Sequence, residues 1–310
     1  MLQIFKTVEG KLTEIDEIQD GCWVHLTDPS PSECKVVIDR LALEPDYIIA
    51  ALDEEESPRI ENDEGQTLVI VDLPTVQPEG GTFLYNTIPL GIVHCEKALI
   101  TVCLKESTII DNFIEGRVRG FSTTKKTRFI LQILYRNASR FLQYLKQIDK
   151  ASTLIENELH KSMKNRELIQ MLKLEKSLVY FSTSLTANEL VMEKLLKSEY
   201  IKKYPEDTEL LEDVIIENKQ AIEMCNIYRD ILSGTMDAFA SIISNNLNIV
   251  MKMLAAITIV LAIPSIVSGF FGMNTWVPLE GTPVGFWIIV GIAMALSAAT
   301  AFLLWRKKMF

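Results

Sequence analysis

Two long apolar segments dominate the hydrophobic pattern of this chain. Residues 253–271 and 284–305 contain no Asp, Glu, Lys or Arg. At a rise of about 1.5 Å per residue, a helix formed by either segment is long enough to cross a hydrocarbon layer of about 30 Å. The pattern therefore predicts two transmembrane helices, joined by a loop at 272–283 and followed by a short tail at 306–310.

The charges that flank these segments predict their orientation. Lys252 precedes the first segment, and Arg306, Lys307 and Lys308 follow the second, whereas the loop contains Glu280 but no Lys or Arg. Because basic residues accumulate on the cytosolic side of membrane helices, we expect both chain ends to be cytosolic and the loop to be external. This topology predicts a multi-pass protein of a plasma or inner membrane, in contact with lipid.

The first 120 residues alternate short apolar runs with turn-rich and helical segments. The β-branched runs are typical of strands, and the helical patterns between them follow prolines. A sheet covered by helices is the natural packing of such pieces. We therefore predict a cytosolic α/β domain at 1–120, with strands at 23–26, 67–73, 88–94 and 99–103, helices at 32–43 and 47–52, and a turn at 77–81.

Long helices follow this domain. Apolar residues recur at helical spacing from about residue 125, and a break near Asn165 indicates two antiparallel helices. A turn at 203–206 precedes Asp207, which can cap a further helix that meets no proline before Pro264. One small domain cannot bury so long a helix, so we expect an oligomer. The predicted divisions are antiparallel helices at 121–204 and a cytosolic stalk helix at 205–252 that continues into the first transmembrane helix.

Charge and composition exclude several functional classes. The chain has a formal net charge of −10, and residues 1–80 contain 19 acidic against five basic side chains, a balance of −14. Nucleic-acid binding requires a basic face, so we expect no nucleic-acid partner. The five cysteines form no Cys-x-x-Cys pair, which fits reduced cytosolic thiols better than disulfides or a zinc site.

The sequence contains no recognisable catalytic constellation. It has no Gly-rich phosphate loop, no His-Glu-x-x-His and no Gly-x-Ser-x-Gly motif, and its three histidines, His25, His94 and His160, are far apart in sequence. We therefore predict that the protein is not an enzyme and holds no covalent cofactor.

One face of the first transmembrane helix carries small, polar or flexible residues, whereas the neighbouring positions are bulky and apolar. Such a face can be a packing seam between membrane helices. It can also line a watery path, because polar groups inside a membrane usually face a bundle interior or a cavity. The recurrence of Asn248, Thr258 and Ser265 favours a pore formed by symmetric copies of the helix. The face comprises Asn248, Met251, Ala255, Thr258, Ala262, Ser265, Gly269 and Gly272.

A pore lined in this way would be electrically neutral, because no carboxylate occurs between Lys252 and Glu280. A dehydrated divalent cation would need several carboxylates in place of its water, and Mg²⁺ dehydrates reluctantly. Carbonyl oxygens and Asn side chains can instead accept hydrogen bonds from the waters of a hydrated ion. The membrane potential supplies about 4.6 kcal/mol per 100 mV for a doubly charged ion, so transport is expected to be passive.

The residues around this helix form a distinctive pattern. It consists of Tyr228-Arg229-Asp230, Met236-Asp237, Ser244-Asn245-Asn246, Val250-Met251-Lys252 and Gly269-Phe270-Phe271-Gly272-Met273-Asn274, followed by a second span and a basic tail. This pattern resembles the CorA family of divalent metal ion channels, and the resemblance is specific over about residues 205–310 and looser over the amino-terminal domain.

The resemblance implies an α+β membrane protein that assembles as a homopentameric funnel, with the stalk helix continuing into the pore. It also implies that Gly272, Met273 and Asn274 form an external selectivity filter for hydrated Mg²⁺. The external loop departs from the usual family pattern, because the acid that commonly follows this motif is missing. Glu280 keeps an acid in the external loop.

Further roles follow from the same resemblance. Asn248 and Met251 would line the cytosolic end of the pore, and Leu254 would lie close to the hydrophobic gate. Ala262 replaces a bulky gate residue that the family pattern leads us to expect. Asp213 occupies the position of an acid that binds inhibitory intracellular Mg²⁺ between neighbouring subunits.

We therefore expect a passive, membrane-potential-driven channel that passes hydrated Mg²⁺ and is gated by intracellular Mg²⁺, with Co²⁺ or Ni²⁺ as adventitious substrates. Two other hypotheses stay open at this point. The ZntB-like zinc branch of the same superfamily resembles the chain in fold and is associated with Zn²⁺ transport that can be proton-coupled. A membrane-tethered scaffold would use the apolar hairpin only as an anchor, but an anchor has no reason to keep a polar face.

Overall fold

The structure is a computed structural model, and it describes residues 1–63, 65–79, 82–162, 165–197, 204–273 and 283–307. The chain divides into two compact units, one formed by Met1–Thr235 and the other beginning at Met236. The first unit contains a β-sheet covered on both faces by helices, and the second contains two apolar helices. This architecture confirms the predicted fold class.

A seven-stranded mixed sheet forms the centre of the first unit. All neighbouring strands are antiparallel except β3 and β7, which are parallel. The four predicted strands are confirmed as β3, β5, β6 and β7, whereas β1, β2 and β4 were not predicted. The strands are β1 (Leu2–Val8), β2 (Lys11–Glu14), β3 (Cys22–Thr27), β4 (Arg59–Asp63), β5 (Gln66–Glu79), β6 (Thr82–His94) and β7 (Ala98–Cys103), in the order β2-β1-β3-β7-β6-β5-β4.

The turn predicted at 77–81 is partly wrong. Gln77, Pro78 and Glu79 belong to β5, and Pro78 pairs with Phe83 of β6. The opposite edge of this part of β5 faces no strand, because the pairing with β4 ends where Arg59 lies opposite Ile70. A proline, which lacks an N–H group, is tolerated at such an edge. The remaining predicted turn residues, 80 and 81, lie outside the described residues.

Two short helices cover one face of the sheet. The first, α1 (Pro31–Leu41), begins with a capping box in which Ser30 and Glu33 satisfy each other's backbone N–H groups. It ends two residues before the predicted boundary, because Ala42 adopts a left-handed conformation with φ 49°. The second, α2 (Pro45–Ile49), continues as a short 3₁₀ turn.

The alternation of side chains along β7 shows how the two faces divide. Ala98, Ile100 and Val102 pack against α1 and α2, whereas Leu99 and Cys103 face the opposite layer. All five are buried. A strand buried on both faces explains why this segment reads as a continuous apolar run rather than as an alternating one.

Helices of the second layer cover the other face of the sheet. The two antiparallel helices predicted on either side of Asn165 are confirmed, because the start of α4 packs beside the end of α5 and Phe141 contacts Phe181 with 5.0 Å between ring centroids. The remaining helices are α3 (Thr108–Ile114), α4 (Lys126–Ser162), α5 (Asn165–Lys197), α6 (Pro205–Phe271) and α7 (Pro283–Arg306).

The amino-terminal end of α6 differs from the prediction. The helix begins at Pro205, within the predicted turn, because the fixed φ of proline suits the first helical turn and its missing N–H group needs no partner there. Asp207 is buried, and its carboxylate accepts a hydrogen bond from the Tyr204 N–H group at 3.4 Å instead of preceding the helix as its cap residue. The predicted continuity is confirmed, since α6 extends to Phe271 without interruption.

Asn188 attaches α5 to the backbone of β5. Its Oδ1 accepts a hydrogen bond from the Asp72 N–H group, and its Nδ2 donates to the Asp72 carbonyl oxygen, both at 2.9 Å. Asn137 of α4 donates to the same carbonyl oxygen at 2.8 Å. Asp72 lies beyond the last residue pair between β4 and β5, so these carboxamides occupy the place of a missing strand partner. Burial of this junction raises the pKa of the Asp72 carboxyl.

Replacing Asn188 by Ala is therefore expected to destabilise the first unit by about 2–3 kcal/mol, because it leaves a buried N–H group without a partner. The apparent melting temperature should fall by about 4–10 °C, measured by tryptophan fluorescence on the full-length protein in detergent. Asn157→Ala is the matched control, since Asn157 is exposed and donates to the Thr153 carbonyl oxygen of its own helix. Equal falls in both variants would contradict the assigned role.

Candidate ion-conduction site

The predicted pore residues share one face of α6. Successive residues of an α-helix are rotated by about 100°, so the predicted positions from Asn248 to Gly272 fall within an arc of about 120°. Most of them are exposed in the single chain, including Met251 and Leu254 at 55% and 56%, whereas Ala262 is half-buried. The described members of this face are Asn248, Met251, Leu254, Ala255, Thr258, Ala262, Ser265, Gly269 and Gly272.

The side of α6 that borders α7 is displaced around the helix from the predicted pore face and meets it at Ser265. Along the membrane part of α6, exposure is reduced at Ala256, which is fully buried, and at positions that recur every three or four residues after it. A shallow cleft between the two helices is lined from both sides, by Pro264, Val267 and Ser268 of α6 among others. The residues of reduced exposure on this side are Ala256, Val260, Ile263, Val267 and Phe271.

This arrangement bears on the choice between a packing seam and a pore. Among the described residues, Ser265 is the member of the predicted pore face that borders the cleft between α6 and α7. Thr258 donates its hydroxyl proton to the Leu254 carbonyl oxygen at 2.9 Å, so the hydroxyl needs no acceptor elsewhere and its lone pairs can accept hydrogen bonds. The face is thus available to other copies of α6 or to water.

The external end of α6 is described as far as Met273. The Gly272 N–H group donates to the Ser268 carbonyl oxygen at 2.9 Å. A Cβ atom at Gly272 would lie 3.1 Å from that same oxygen, so glycine permits the backbone to approach it closely. Met273 is 55% exposed. The other predicted residues of this end, Asn274 and Glu280, lie outside the described residues.

The packing face of α7 was not predicted from the sequence. Small residues recur at four-residue intervals on the side of α7 that is less exposed, with Ile289 in place of one of them, and such spacing lets membrane helices approach closely. The hydroxyl oxygen of Ser297 on this side is buried and has no hydrogen-bond partner among the described residues. The repeat of small residues could have revealed this face, which comprises Gly285, Ala293, Ser297 and Ala301.

The predicted regulatory acid is exposed. Asp213 lies on α6 beside the buried residues Val214 and Ile215, which pack against α4 and α5. Within the described part of this single chain, no group of three or more His, Cys, Asp or Glu side chains is close enough to hold a metal ion. Asp213 would therefore need ligands from outside the described residues of its own chain.

The native cysteines are shielded from solvent. All five are free thiols and all are buried. Burial raises the pKa of the Cys103 thiol to about 11 and that of the Cys225 thiol to about 12, and it also raises the pKa of Cys22 and Cys34. Because the thiolate is the reactive form, these residues should react slowly with thiol reagents.

Comparison with known proteins connects this geometry to a family. A family model described as "CorA-like Mg2+ transporter protein" matches residues 19–308. The cobalt/magnesium transport protein CorA of Methanocaldococcus jannaschii is 31% identical over 304 residues, which cover 93% of this chain and 92% of that protein. The cobalt/magnesium transport protein CorA of Thermotoga maritima is 22% identical over 192 residues, which cover 61% of this chain and 54% of that protein.

Solved structures agree with the sequence comparison. The complete structure of the CorA magnesium transporter from M. jannaschii matches with a TM-score of 0.82 and 25% identity, covering 98% of this chain and 96% of that one. The full-length CmaX protein matches with a TM-score of 0.73 at 16% identity, covering 98% and 96%. The cytoplasmic domain of ZntB from Vibrio parahaemolyticus matches with a TM-score of 0.59 at 15% identity, covering 79% and 97%. The last two likenesses show the fold alone.

Proposed function

This chain belongs to the CorA family of Mg²⁺ transporter proteins, and from that premise we propose that it is a passive channel for hydrated Mg²⁺. The observation that carries the proposal is the small and polar face of α6, which borders α7 only at Ser265 among the described residues and is mostly exposed in the single chain. A lone pair of membrane helices has no use for such a face. A ring of identical α6 helices would enclose it as a neutral, water-lined path.

The neutrality of this path suits a cation that keeps its water. Mg²⁺ holds its hydration shell tightly, and the described pore face offers carbonyl oxygens, Asn248 and Thr258 as acceptors for the protons of that shell. Gly272, Met273 and Asn274 would form the filter at the external end. No ligand then has to replace a bound water. The membrane potential is sufficient to drive entry, since it contributes about 4.6 kcal/mol per 100 mV for a doubly charged ion.

A homopentamer is the assembly that we propose, with both chain ends cytosolic in a plasma or inner membrane. An unpartnered apolar face on the cytosolic part of α6 supports self-association. Ile216, Ile227 and Ile231 lie within about 60° on one side of the helix and are 64%, 55% and 58% exposed in the single chain. Apolar side chains at such spacing on an exposed helix favour packing against another copy.

Gating by intracellular Mg²⁺ is the second part of the proposal. Asp213 is exposed on α6 in the first unit, where a carboxylate from a neighbouring subunit could share a cation with it. Loss of the ion at low intracellular Mg²⁺ would leave like charges facing one another and favour separation of the subunits at this point. Co²⁺ and Ni²⁺ are expected as further substrates, because selection by hydration shell and size discriminates weakly among these ions.

Flux through purified protein in liposomes tests the proposed activity. An inside-negative potential is expected to drive Mg²⁺ entry without a pH gradient, reported by an entrapped magnesium dye. Asn274→Ala should reduce this entry at least about tenfold, because it removes a carboxamide from the filter, while pentamer formation is retained. The matched control is Asn157→Ala, which changes an exposed Asn of the first unit. Zn²⁺ entry that depends on a pH gradient, with no entry of Mg²⁺, would instead identify a zinc transporter.

Cysteine substitution tests which face of α6 lines the path. Thr258→Cys is expected to make Mg²⁺ flux sensitive to a cationic methanethiosulfonate, with at least half of the flux lost, since this residue lies on the predicted pore face. Val260→Cys is the control, because Val260 lies outside the predicted pore face and is less exposed. The buried native thiols should give little background. Block through Val260→Cys alone would place the path elsewhere.

Replacing Asp213 by Ala tests the gating proposal. The cytosolic Mg²⁺ concentration that halves the flux is expected to rise at least about fivefold, the lower end of usual coupling energies. Glu212→Ala removes an equal charge from the neighbouring exposed position of α6 and should leave this concentration within about twofold of the unmodified protein. An unchanged inhibition curve for Asp213→Ala would remove this residue from the gating mechanism.

A further inference from the structure

A groove lined by arginines lies in the first unit of this acidic protein. Residues at every fourth position of α4 form one wall, and the segment after α3 contributes further arginines. The groove has a volume of about 510 Å³ and is open on one side. Its lining includes Arg117, Arg119, Arg128, Gln132, Arg136 and Arg140.

Few acidic side chains neutralise this groove. Arg117 pairs with Glu115 at 2.9 Å, and Arg128 lies 3.4 Å from a Glu206 carboxylate oxygen and 3.8 Å from one of Asp207. In the described ranges, no carboxylate oxygen lies within 4.0 Å of a guanidinium nitrogen of the other three arginines. Those three are Arg119, Arg136 and Arg140.

Two of these unneutralised arginines are held in place by aromatic rings. The guanidinium carbon of Arg136 lies 5.7 Å from the centroid of Phe113, and that of Arg140 lies 5.8 Å from the centroid of Tyr144. Both arginines are half-buried. Arg136 donates one N–H group to the Arg117 carbonyl oxygen at 3.5 Å, and a guanidinium that contacts a ring has further N–H groups for another partner. The arrangement therefore positions positive charge in the groove without cancelling it.

The chemistry and size of the groove define the ligand. We propose that it binds a polyphosphate-bearing small anion and prefers the form that carries no Mg²⁺. Arginine pairs with phosphate oxygens through two parallel hydrogen bonds, and a volume of about 510 Å³ is typical of small-molecule sites. Tyr135, 41% exposed, adds an apolar surface to the groove. A bound Mg²⁺ cancels two negative charges of a polyphosphate, so the Mg²⁺-free anion has the stronger attraction to the arginines.

Binding of such an anion in the groove would regulate transport, an inference that rests on the proposed function. Polyphosphates and Mg²⁺ bind one another in the cytosol, so the Mg²⁺-free anion accumulates when intracellular Mg²⁺ falls. Occupancy of the groove would then report a shortage of the transported ion. The site lies in the first unit, and Asp213 is not among its lining residues although Leu210, one turn earlier on α6, is. It would therefore add a signal to the one proposed for Asp213.

Binding of inorganic triphosphate tests the site directly. Isothermal titration of full-length protein in detergent, in Mg²⁺-free buffer, is expected to show saturable binding that weakens as salt or Mg²⁺ is added. Arg136→Gln combined with Arg140→Gln should weaken binding at least about tenfold, through loss of charge-assisted hydrogen bonds. Arg40→Gln combined with Arg166→Gln removes the same charge from exposed positions outside the groove, and binding should stay within about twofold.

Several outcomes would overturn this proposal: no binding by the unmodified protein, equal weakening in both double variants, or a change of oligomeric state in the groove variant by light scattering. The last result would make the groove an interface between copies of the chain. If the Gln variant is unstable, Arg136→Lys with Arg140→Lys keeps the charge and removes the planar fork, and several-fold weaker binding is expected. Because no flux is measured, failure here and failure of the proposed transport are distinguishable.

Discussion

The cost of placing polar groups in hydrocarbon is the constraint on which the second unit depends. No water is available inside a bilayer to satisfy backbone N–H and carbonyl groups, so a spanning segment must form these hydrogen bonds itself. Both apolar segments are accordingly helices. Their side chains are almost entirely exposed in the single chain, unlike those of a helix in a soluble core. The few polar side chains of α6 then become informative, because each needs either a local acceptor, as Thr258 has, or a watery surface.

The first unit is organised by a different requirement, which is to bury both faces of one sheet. Alternate residues of β7 supply the two cores, and helices cover each of them. Gly91 of β6 shows how closely the short helices pack on one face of the sheet, since a Cβ atom there would lie 2.4 Å from the Ala51 Cβ. The helices that cover the opposite face of the sheet include the first turns of α6, whose residues Leu211 and Val214 join the core. Helix α6 therefore begins as an integral part of the first unit.

Local patterns determined how much could be predicted from the sequence. The apolar spans, the break at Asn165 and the four most apolar strands were predictable because each depends on residues close in the chain. The three strands that were not predicted carry charged or polar residues such as Lys6, Lys11 and Glu61. These residues obscure the alternation of apolar and polar positions that is typical of a strand. The arginine groove and the bonds from Asn188 to Asp72 join segments that are far apart in sequence, and no local pattern indicates them. The roles predicted for individual residues of the pore face rest on the family resemblance, because a single chain cannot display them.

The junction at Asn188 has a consequence for solubility. A strand that continues past its neighbour presents free N–H and carbonyl groups, and such an edge can recruit strands from other molecules. Beyond the end of β4, the carboxamides of Asn188 and Asn137 occupy the backbone groups of Asp72. The position is thereby closed to intermolecular β-pairing. Two asparagines from different helices thus protect this part of the sheet from edge-to-edge aggregation.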